Sequence, residues 1–117
     1  MVTGNDSSNT ISVLIGNGDG SLGPAQTYPS GNTHSVAVSD LDSDGTLDVL
    51  SGSFEENTVT VYHGTGDGRL IATPGVDAMF ETARSLAVAD FNGDRRPDLA
   101  LYSESAGRQV ISILLHP

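Results

Sequence analysis

The fold is decided by Asp-Leu-Asp-Ser-Asp-Gly-Thr-Leu-Asp, residues 40–48, which returns fifty residues later as Asp-Phe-Asn-Gly-Asp-Arg-Arg-Pro-Asp, residues 90–98. Each copy lies between two runs of apolar and small residues, and oxygen-bearing side chains occupy its positions 1, 3, 5 and 9. This spacing suits a hard cation such as calcium, which takes several oxygen ligands in a flexible cage. A period of about fifty residues also predicts a solenoid, a propeller or an array.

A second pair of repeated segments extends the repeat over most of the chain. Residues 9–22 match residues 57–70 at an offset of forty-eight, and residues 111–115 are a third copy of the strand in this unit. Alternating apolar and small polar residues predict strands, and the shared Gly-x-Gly-Asp-Gly segments predict tight turns, because glycine accepts positive φ. In the complete unit the predicted strands are 35–39, 47–52, 58–63 and, more weakly, 78–82.

These observations predict an all-β chain made of β-propeller blades, each a four-stranded antiparallel sheet. Closed propellers typically have 4 to 8 blades, and this chain holds only about 2.5. We therefore expect closure by oligomerisation, for example a dimer forming a five-bladed ring, or membership of a larger propeller. The single segment 1–117 divides into a partial blade at 1–33 (second to fourth strands), a full blade at 34–83 (loop 40–48) and a partial blade at 84–117 (first to third strands, loop 90–98).

The composition excludes several classes of protein. Acidic residues outnumber basic ones fifteen to five and leave a formal net charge of −10, whereas a nucleic-acid-binding protein needs clustered Lys and Arg. No apolar run is long enough to span a membrane, so we expect no membrane insertion. The absence of cysteine excludes disulfides and thiolate metal sites.

The acidic loops differ from an EF-hand, which needs a bidentate Glu at position 12 and a helix on each side. Position 12 is Ser51 in the first loop and Leu101 in the second, and both loops have strand-like flanks. The stretches 36–49 and 86–99 instead resemble the calcium-binding β-hairpin loops of the FG-GAP family, the integrin-alpha-type (VCBS-like) propeller repeats. The resemblance covers essentially the whole chain, including the strand that precedes each Gly-x-Gly-Asp-Gly turn.

This resemblance implies up to two calcium ions per chain, one in each loop. The first loop would bind through the side chains of Asp40, Asp42, Asp44 and Asp48 and the backbone carbonyl of Thr46. The second would use the side chains of Asp90, Asn92, Asp94 and Asp98 and the carbonyl of Arg96. The simpler alternative is that both loops are acidic surface turns in which Asp bonds to its own backbone.

We expect the second loop to be the weaker calcium site. Arg95 stands where the first loop has Gly45, at a sharp turn that favours glycine, and a Cβ at positive φ raises the free energy. Arg95 and Arg96 also place positive charge beside the ion. Asn92 supplies a neutral oxygen in place of a carboxylate, which the family pattern permits.

The resemblance implies a calcium-stabilised, non-catalytic binding or adhesion module, extracellular or at the cell surface, that recognises protein or carbohydrate. Two alternatives stay open: a self-assembling structural fragment with no ligand beyond calcium, and a non-catalytic fragment of a secreted hydrolase or lyase. No acid, base and nucleophile cluster in sequence, and His63 is expected to be a half-buried strand residue. A sugar-binding module would repeat an aromatic pocket in each blade, and Tyr28 and Phe80 hold roughly equivalent positions.

An up-and-down blade places the acidic loops and the Gly-x-Gly-Asp-Gly turns at the same end of the sheets. The connections at the opposite end vary between the copies, and they form the candidate recognition surface. Its predicted members are His34, Phe54, Glu55, Glu56, Asn57, Arg84, Tyr102, Ser103 and Glu104.

Overall fold

The computed structural model describes residues 1–53, 55–73, 76–77 and 83–115, which form three antiparallel sheets. The first sheet contains β1 (Val2–Asn5), β2 (Thr10–Val13) and β3 (Gln26–Pro29). The second contains β4 (Thr33–Ser39), β5 (Asp48–Ser53), β6 (Thr58–Gly64), β7 (Leu70–Ala72) and β8 (Val76–Asp77). The third contains β9 (Ala83–Ala89), β10 (Asp98–Ser105) and β11 (Arg108–Leu114).

The all-β prediction is confirmed for the described residues, whose one helical element is a short 3-10 turn at Asp6–Ser8. Strands follow the chain order within each sheet, as expected when consecutive antiparallel strands are joined by hairpins. The predicted strands 35–39, 47–52 and 58–63 agree with β4, β5 and β6 to within two residues at each end.

Two short strands, β7 and β8, lie beside β6 in the second sheet. Residues 78–82, where the fourth strand was expected, lie outside the described residues. In the first sheet Tyr28 lies opposite Ile11, and in the second Val76 lies opposite Val59. Val76 therefore holds the register position of Tyr28, and Phe80, which was expected to hold an equivalent position, lies outside the described residues.

The first and second sheets pack face to face through a buried cluster. Ile11 from β2 meets Val49 and Tyr62 from β5 and β6, and all three side chains are buried. The Tyr62 hydroxyl donates a hydrogen bond to the backbone oxygen of Pro29 at 2.8 Å, and its ring meets the ring of Tyr28 edge-on at 6.4 Å. Burial of the phenol raises the pKa of Tyr62. The N–H of Leu70 also donates a hydrogen bond to the Tyr28 hydroxyl at 3.1 Å, so apolar burial and directed hydrogen bonds together fix the two sheets relative to each other.

The second and third sheets pack through the opposite face of the second sheet. Leu50 and Val59 are buried against Leu86 and Leu101 of the third sheet. This separation of the two clusters follows from the strand period of two, because neighbouring residues such as Val49 and Leu50 point to opposite faces. The second sheet is therefore apolar on both faces and lies between its two neighbours.

The outer face of the third sheet lacks such a cover among the described residues. Ile11, Val59 and Ile111 hold equivalent positions in β2, β6 and β11, but their exposed fractions are 0%, 6% and 74%. The first sheet buries Ile11 against the second, and the second buries Val59 against the third. Ile113 on the same strand is 52% exposed, which leaves a branched apolar stripe along β11.

Candidate metal centre

The first acidic loop joins β4 to β5 and is anchored by Asp48, the first residue of β5. This carboxylate is buried, with a side chain only 1% exposed. Its Oδ2 accepts a hydrogen bond from the backbone N–H of Leu41 at 2.9 Å, and its Oδ1 accepts one from Gly64 at 2.9 Å. Burial of an Asp requires such partners, and here they tie the base of the loop to β6.

The remaining carboxylates of the first loop fold inward onto its own backbone. Asp40 accepts the N–H groups of Asp44 (3.1 Å) and Gly45 (3.0 Å), and Asp42 accepts that of Asp44 as well (3.2 Å). Asp44 Oδ1 accepts the hydroxyl of Thr46 at 2.6 Å and its N–H at 2.7 Å. These bonds, led by that from the hydroxyl, lower the pKa of Asp44. The backbone bonds therefore hold the carboxylates of the loop close together.

The oxygens of the first loop fit a divalent cation. Ligand atoms of Asp40, Asp42 and Asp44 lie within 4.8 Å of one another, and so do those of Asp42, Asp48 and His63. Calcium binds oxygen at roughly 2.3–2.6 Å, so two ligands on opposite sides of one ion are up to about 5 Å apart. An ion of this kind would relieve the repulsion among exposed carboxylates that hold the same charge.

The second acidic loop, between β9 and β10, repeats these hydrogen bonds. Asp98 is buried and accepts the N–H of Phe91 at 2.9 Å, as Asp48 accepts that of Leu41. Asp90 accepts the N–H groups of Gly93, Asp94 and Arg95, at 2.6, 3.1 and 2.8 Å. The copies therefore share backbone geometry as well as residue pattern.

The side chains at positions 3 and 5 of the second loop bind each other. Asn92 Oδ1 accepts the N–H of Asp94 at 2.9 Å, and the Asn92 amide donates to Asp94 Oδ2 at 3.1 Å. Asp94 Oδ1 also accepts the N–H of Arg96 at 2.8 Å, the counterpart of the bond from Thr46 to Asp44. The neutral amide thus takes the place of a repelling carboxylate.

Backbone strain is shared equally between the loops. Arg95 has φ +68°, so the sharp turn expected at this position is confirmed, and Gly45 has φ +88° at the equivalent position. A second left-handed position comes two residues earlier, and there the first loop has Ser43 (φ +62°) and the second has Gly93 (φ +82°). Each loop therefore carries one non-glycine residue at positive φ. The strain of Arg95 alone does not distinguish the two loops, because Ser43 is strained in the first.

The first loop also contacts the Gly-x-Gly-Asp-Gly turn after β6. The hydroxyl of Thr46 lies 3.1 Å from the backbone oxygen of Gly64, the first glycine of that turn. A Cβ added to Gly64 would lie 2.2 Å from the backbone oxygen of Leu47, so only glycine allows this approach. The prediction that the acidic loop and the turn lie at the same end of the sheet is confirmed in the second sheet.

Both Gly-x-Gly-Asp-Gly segments form hairpin turns closed by their Asp. Asp19 accepts the hydroxyl and the N–H of Ser21 at 2.5 and 2.9 Å. Asp67 accepts the hydroxyl of Thr65, and the N–H of Arg69 at 3.1 Å. In each case the hydroxyl is the main cause of a lowered carboxyl pKa. Both carboxylates therefore accept hydrogen bonds within their own turns.

The prediction for the opposite end of the sheets was partly wrong. Tyr102, Ser103 and Glu104 are strand residues of β10, and the turn to β11 is formed by Ala106 and Gly107, at φ +49° and +77°. Phe54 lies outside the described residues. At this end Arg84 forms an ion pair with Glu104 at 3.1 Å, and His34 Nε2 lies 3.9 Å from Asp6 Oδ1.

His63 is the site residue that sequence reasoning missed. It is half-buried on β6, as expected, with 41% of its side chain exposed, but its Nδ1 lies 3.6 Å from both Asp42 Oδ2 and Asp48 Oδ1. Its equivalents in the other copies are Ile15 and Leu115, so the repeat gave no signal of a polar role. The pairing of Val49 with Tyr62 in β5 and β6 makes Asp48 and His63 neighbours.

No helix among the described residues is long and apolar enough to cross a membrane.

Comparison with known proteins identifies the repeat. The sequence model of the FG-GAP-like repeat family matches residues 1–51 and again residues 40–101, so its two matches together cover most of the chain. No significant match was found among curated proteins or among solved structures. The three stacked sheets are therefore β-propeller blades, and the chain belongs to the FG-GAP-like repeat family.

Proposed function

We propose that this chain is a calcium-stabilised, non-catalytic β-propeller module that binds protein or carbohydrate outside the cell or at its surface. The observation that carries the proposal is the duplicated anchor: Asp48 and Asp98 are both buried and both accept the N–H of the residue after the first loop Asp. Two loops with the same pattern and the same hydrogen bonds support a shared ligand, one calcium ion in each.

The electrostatics of the first loop support a cation there. Asp40, Asp42 and Asp44 bring three ligand oxygens within 4.8 Å of one another on an exposed loop. Their repulsion destabilises the folded loop, and a bound divalent ion converts it into attraction. A ligand that binds only the folded state stabilises it by about 2.7 kcal/mol at a hundred times its Kd. Calcium is therefore expected to raise the melting temperature.

A non-catalytic role is supported by the family, whose repeat domains are generally non-catalytic, and by the chemistry of the site. His63, beside the first acidic loop, faces two carboxylates. The hydroxyl of Thr46 lies against Asp44 and Gly64. Both groups serve the loop and the turn beside it, as expected of a metal-bound structural element.

Self-association is the second part of the proposal. Ile111 and Ile113 are exposed on the third blade where their equivalents in the other blades are covered by the following blade. A second copy is proposed to cover this stripe, and a dimer forming a five-bladed ring is the simplest such assembly. A chain that only assembles with itself, or that accompanies a catalytic domain of a secreted hydrolase or lyase, would share the same calcium loops.

Thermal unfolding with and without calcium tests the metal part of the proposal. Wild type is expected to melt at a higher temperature in millimolar calcium than in chelator, and magnesium is expected to have a smaller effect. Asp40→Asn and Asp90→Asn should each remove part of the shift, and the double variant should remove nearly all of it. Equal melting temperatures in calcium and chelator would contradict the proposal. If Asp40→Asn keeps a larger calcium-induced shift than Asp90→Asn, the intact second loop is the stronger site.

Measurement of the native mass tests self-association, and ligand screens test the binding role. Light scattering coupled to size exclusion in calcium should give a discrete oligomer, and Ile111→Lys should convert it to monomer without loss of strand content. A monomeric wild type would contradict self-association. A glycan array tests for carbohydrate recognition, and a substrate panel for hydrolases tests for catalysis. Substrate turnover that depends on His63 or Asp42 would overturn the non-catalytic assignment.

A further inference from the structure

A nitrogen donor, His63, lies beside the first loop, at a position that Leu115 holds in the third blade. His63 Nδ1 lies 3.6 Å from Asp42 Oδ2 and 3.6 Å from Asp48 Oδ1. We propose that Asp42, Asp48 and His63 form a site for a borderline divalent ion of the zinc class, which competes with calcium for the first loop. The proposal does not depend on calcium binding, because zinc would use a ligand set that calcium does not share in full.

The separations of the three ligand atoms fit a small ion. Zinc binds imidazole nitrogen at roughly 2.0–2.1 Å and carboxylate oxygen at roughly 2.0–2.2 Å, so two ligands of a tetrahedral ion are about 3.4 Å apart. The two measured separations from His63 are 3.6 Å, and all three ligand atoms lie within 4.8 Å of one another. Binding requires only a few tenths of an ångström of closure on the histidine side.

Two of the three ligands are held in place by the sheet. Asp48 is buried and both of its oxygens accept backbone N–H groups, from Leu41 and Gly64, so its orientation is fixed. His63 is on the neighbouring strand β6, beside Asp48. Each Asp48 oxygen retains a lone pair beyond its hydrogen bond, which is the donor a metal needs. Such pre-orientation lowers the ordering cost of binding.

The site opens into a cleft with room for a further ligand. Asp42 and His63 line a cavity of about 320 Å³ between the second and third blades, together with Asp98 and Leu99 of the third blade. A three-residue zinc site keeps its fourth position for water or a small ligand. The cleft provides that position on the side of the loop where the imidazole lies.

Ligand chemistry separates the two kinds of ion. Calcium prefers oxygen donors alone, whereas imidazole suits zinc, nickel and copper. The residue equivalent to His63 in the third blade is Leu115, and in the first it is Ile15. The proposal therefore assigns the borderline ion to the first loop, where the described residues supply an imidazole.

Zinc titration of the calcium-free protein tests the inference. Cobalt serves as a spectroscopic probe, because a tetrahedral cobalt ion with nitrogen and oxygen ligands absorbs visible light. Wild type is expected to bind one zinc ion per chain tightly. His63→Ile, which copies the residue of the first blade, and His63→Gln should each weaken zinc binding more than tenfold and lose the cobalt bands, since even indirect partners of a metal change its affinity about 10–100-fold.

Two matched variants complete the design. Asp40→Asn removes a charge from the acidic loop outside the three proposed ligands, so it should weaken calcium and leave zinc nearly unchanged. His34→Gln removes a histidine near Asp6 at the far end of the sheet and should leave zinc unchanged. His63→Ile should leave calcium binding intact, because the calcium ligands are oxygens. Folding of each variant is checked by circular dichroism before titration.

Equal zinc affinity in wild type, His63→Ile and His63→Gln would overturn the inference and leave His63 a partner of Asp42 and Asp48 only. Loss of zinc binding in His34→Gln would also overturn it, by placing the ion elsewhere. Zinc binding that needs His63 in a protein that does not bind calcium would support this inference and contradict the calcium proposal, so the two failures are distinguishable.

Discussion

The carboxylate of Asp48 accepts a hydrogen bond from the backbone N–H of Gly64 at 2.9 Å, across sixteen residues of chain. This bond joins the base of the first acidic loop to the turn after β6, and the lack of a Cβ at Gly64 lets the backbone of Leu47 approach. The loop is thus held by the sheet before any ion arrives. Binding a metal then requires little additional ordering of the backbone.

Asp48→Ala is expected to destabilise the protein even in the absence of metal. The N–H groups of Leu41 and Gly64 would both lose their acceptor, and each buried unsatisfied donor costs roughly 1–3 kcal/mol. Urea unfolding in chelator should show a loss of at least about 2 kcal/mol. Asp42→Ala is the control, because its backbone donor Asp44 keeps the carboxylate of Asp40. Equal stability of Asp48→Ala and wild type would show that the loop is not held by this carboxylate.

Glycine at the strained loop positions is expected to stabilise both loops. Arg95 and Ser43 have φ values of +68° and +62°, where a Cβ costs about 1 kcal/mol. Arg95→Gly and Ser43→Gly should therefore each raise the free energy of unfolding by up to about 1 kcal/mol in chelator. Arg95→Ala keeps the Cβ and serves as the control, with no gain of this size. A gain shared by Arg95→Ala would assign the effect to the lost charge.

Tyr62→Phe is expected to loosen the contact between the first two blades. The variant removes the hydrogen bond to Pro29 and leaves that backbone oxygen without its donor, at a cost of roughly 1–2 kcal/mol. Burial raises the pKa of Tyr62, so its contribution to stability is full below the unfolded pKa of about 10 and is lost as pH rises further. The wild type should approach the variant in stability above about pH 10. Tyr102→Phe is the control, and a pH-independent difference would rule out ionisation of Tyr62.

The pKa of Asp67, in the turn after β6, is expected to depend on the hydroxyl of Thr65. The hydroxyl of Thr65 is the main cause of the lowered pKa of Asp67, so Thr65→Val should move that pKa back towards its ordinary value. Asp19, lowered by Ser21 in the first blade, should titrate as before and is an internal reference. The stabilising contribution of Asp67 is present above about pH 4 and is lost as pH falls through its folded pKa. NMR titration of the carboxyl carbons measures both, and an unchanged Asp67 in Thr65→Val would contradict the assignment.

The features that sequence alone determined are local or repeated. Strand alternation predicted β4, β5 and β6 to within two residues, and the acidic loops were found from a fifty-residue repeat. Within a loop, the bond from the N–H of Asp44 to Asp40 spans four residues, so residue spacing is enough to place it. The sharp turn at Arg95 could be read from Gly45 in the other copy. Such features depend on dihedral preferences and on neighbours a few residues away.

Tertiary structure decided what depends on register and on contacts between blades. The turn lies at Ala106 and Gly107, so β10 extends past Tyr102, which was expected in the connection. His63 reaches the acidic loop because β5 and β6 pair Val49 with Tyr62, and a slip of one residue would point it to the other face. Exposure of Ile111, identical in pattern to buried Ile11, depends on which blade lies beside it. Spacing along the chain carries no information about such partners, because burial and strand pairing are set by the packing of distant segments.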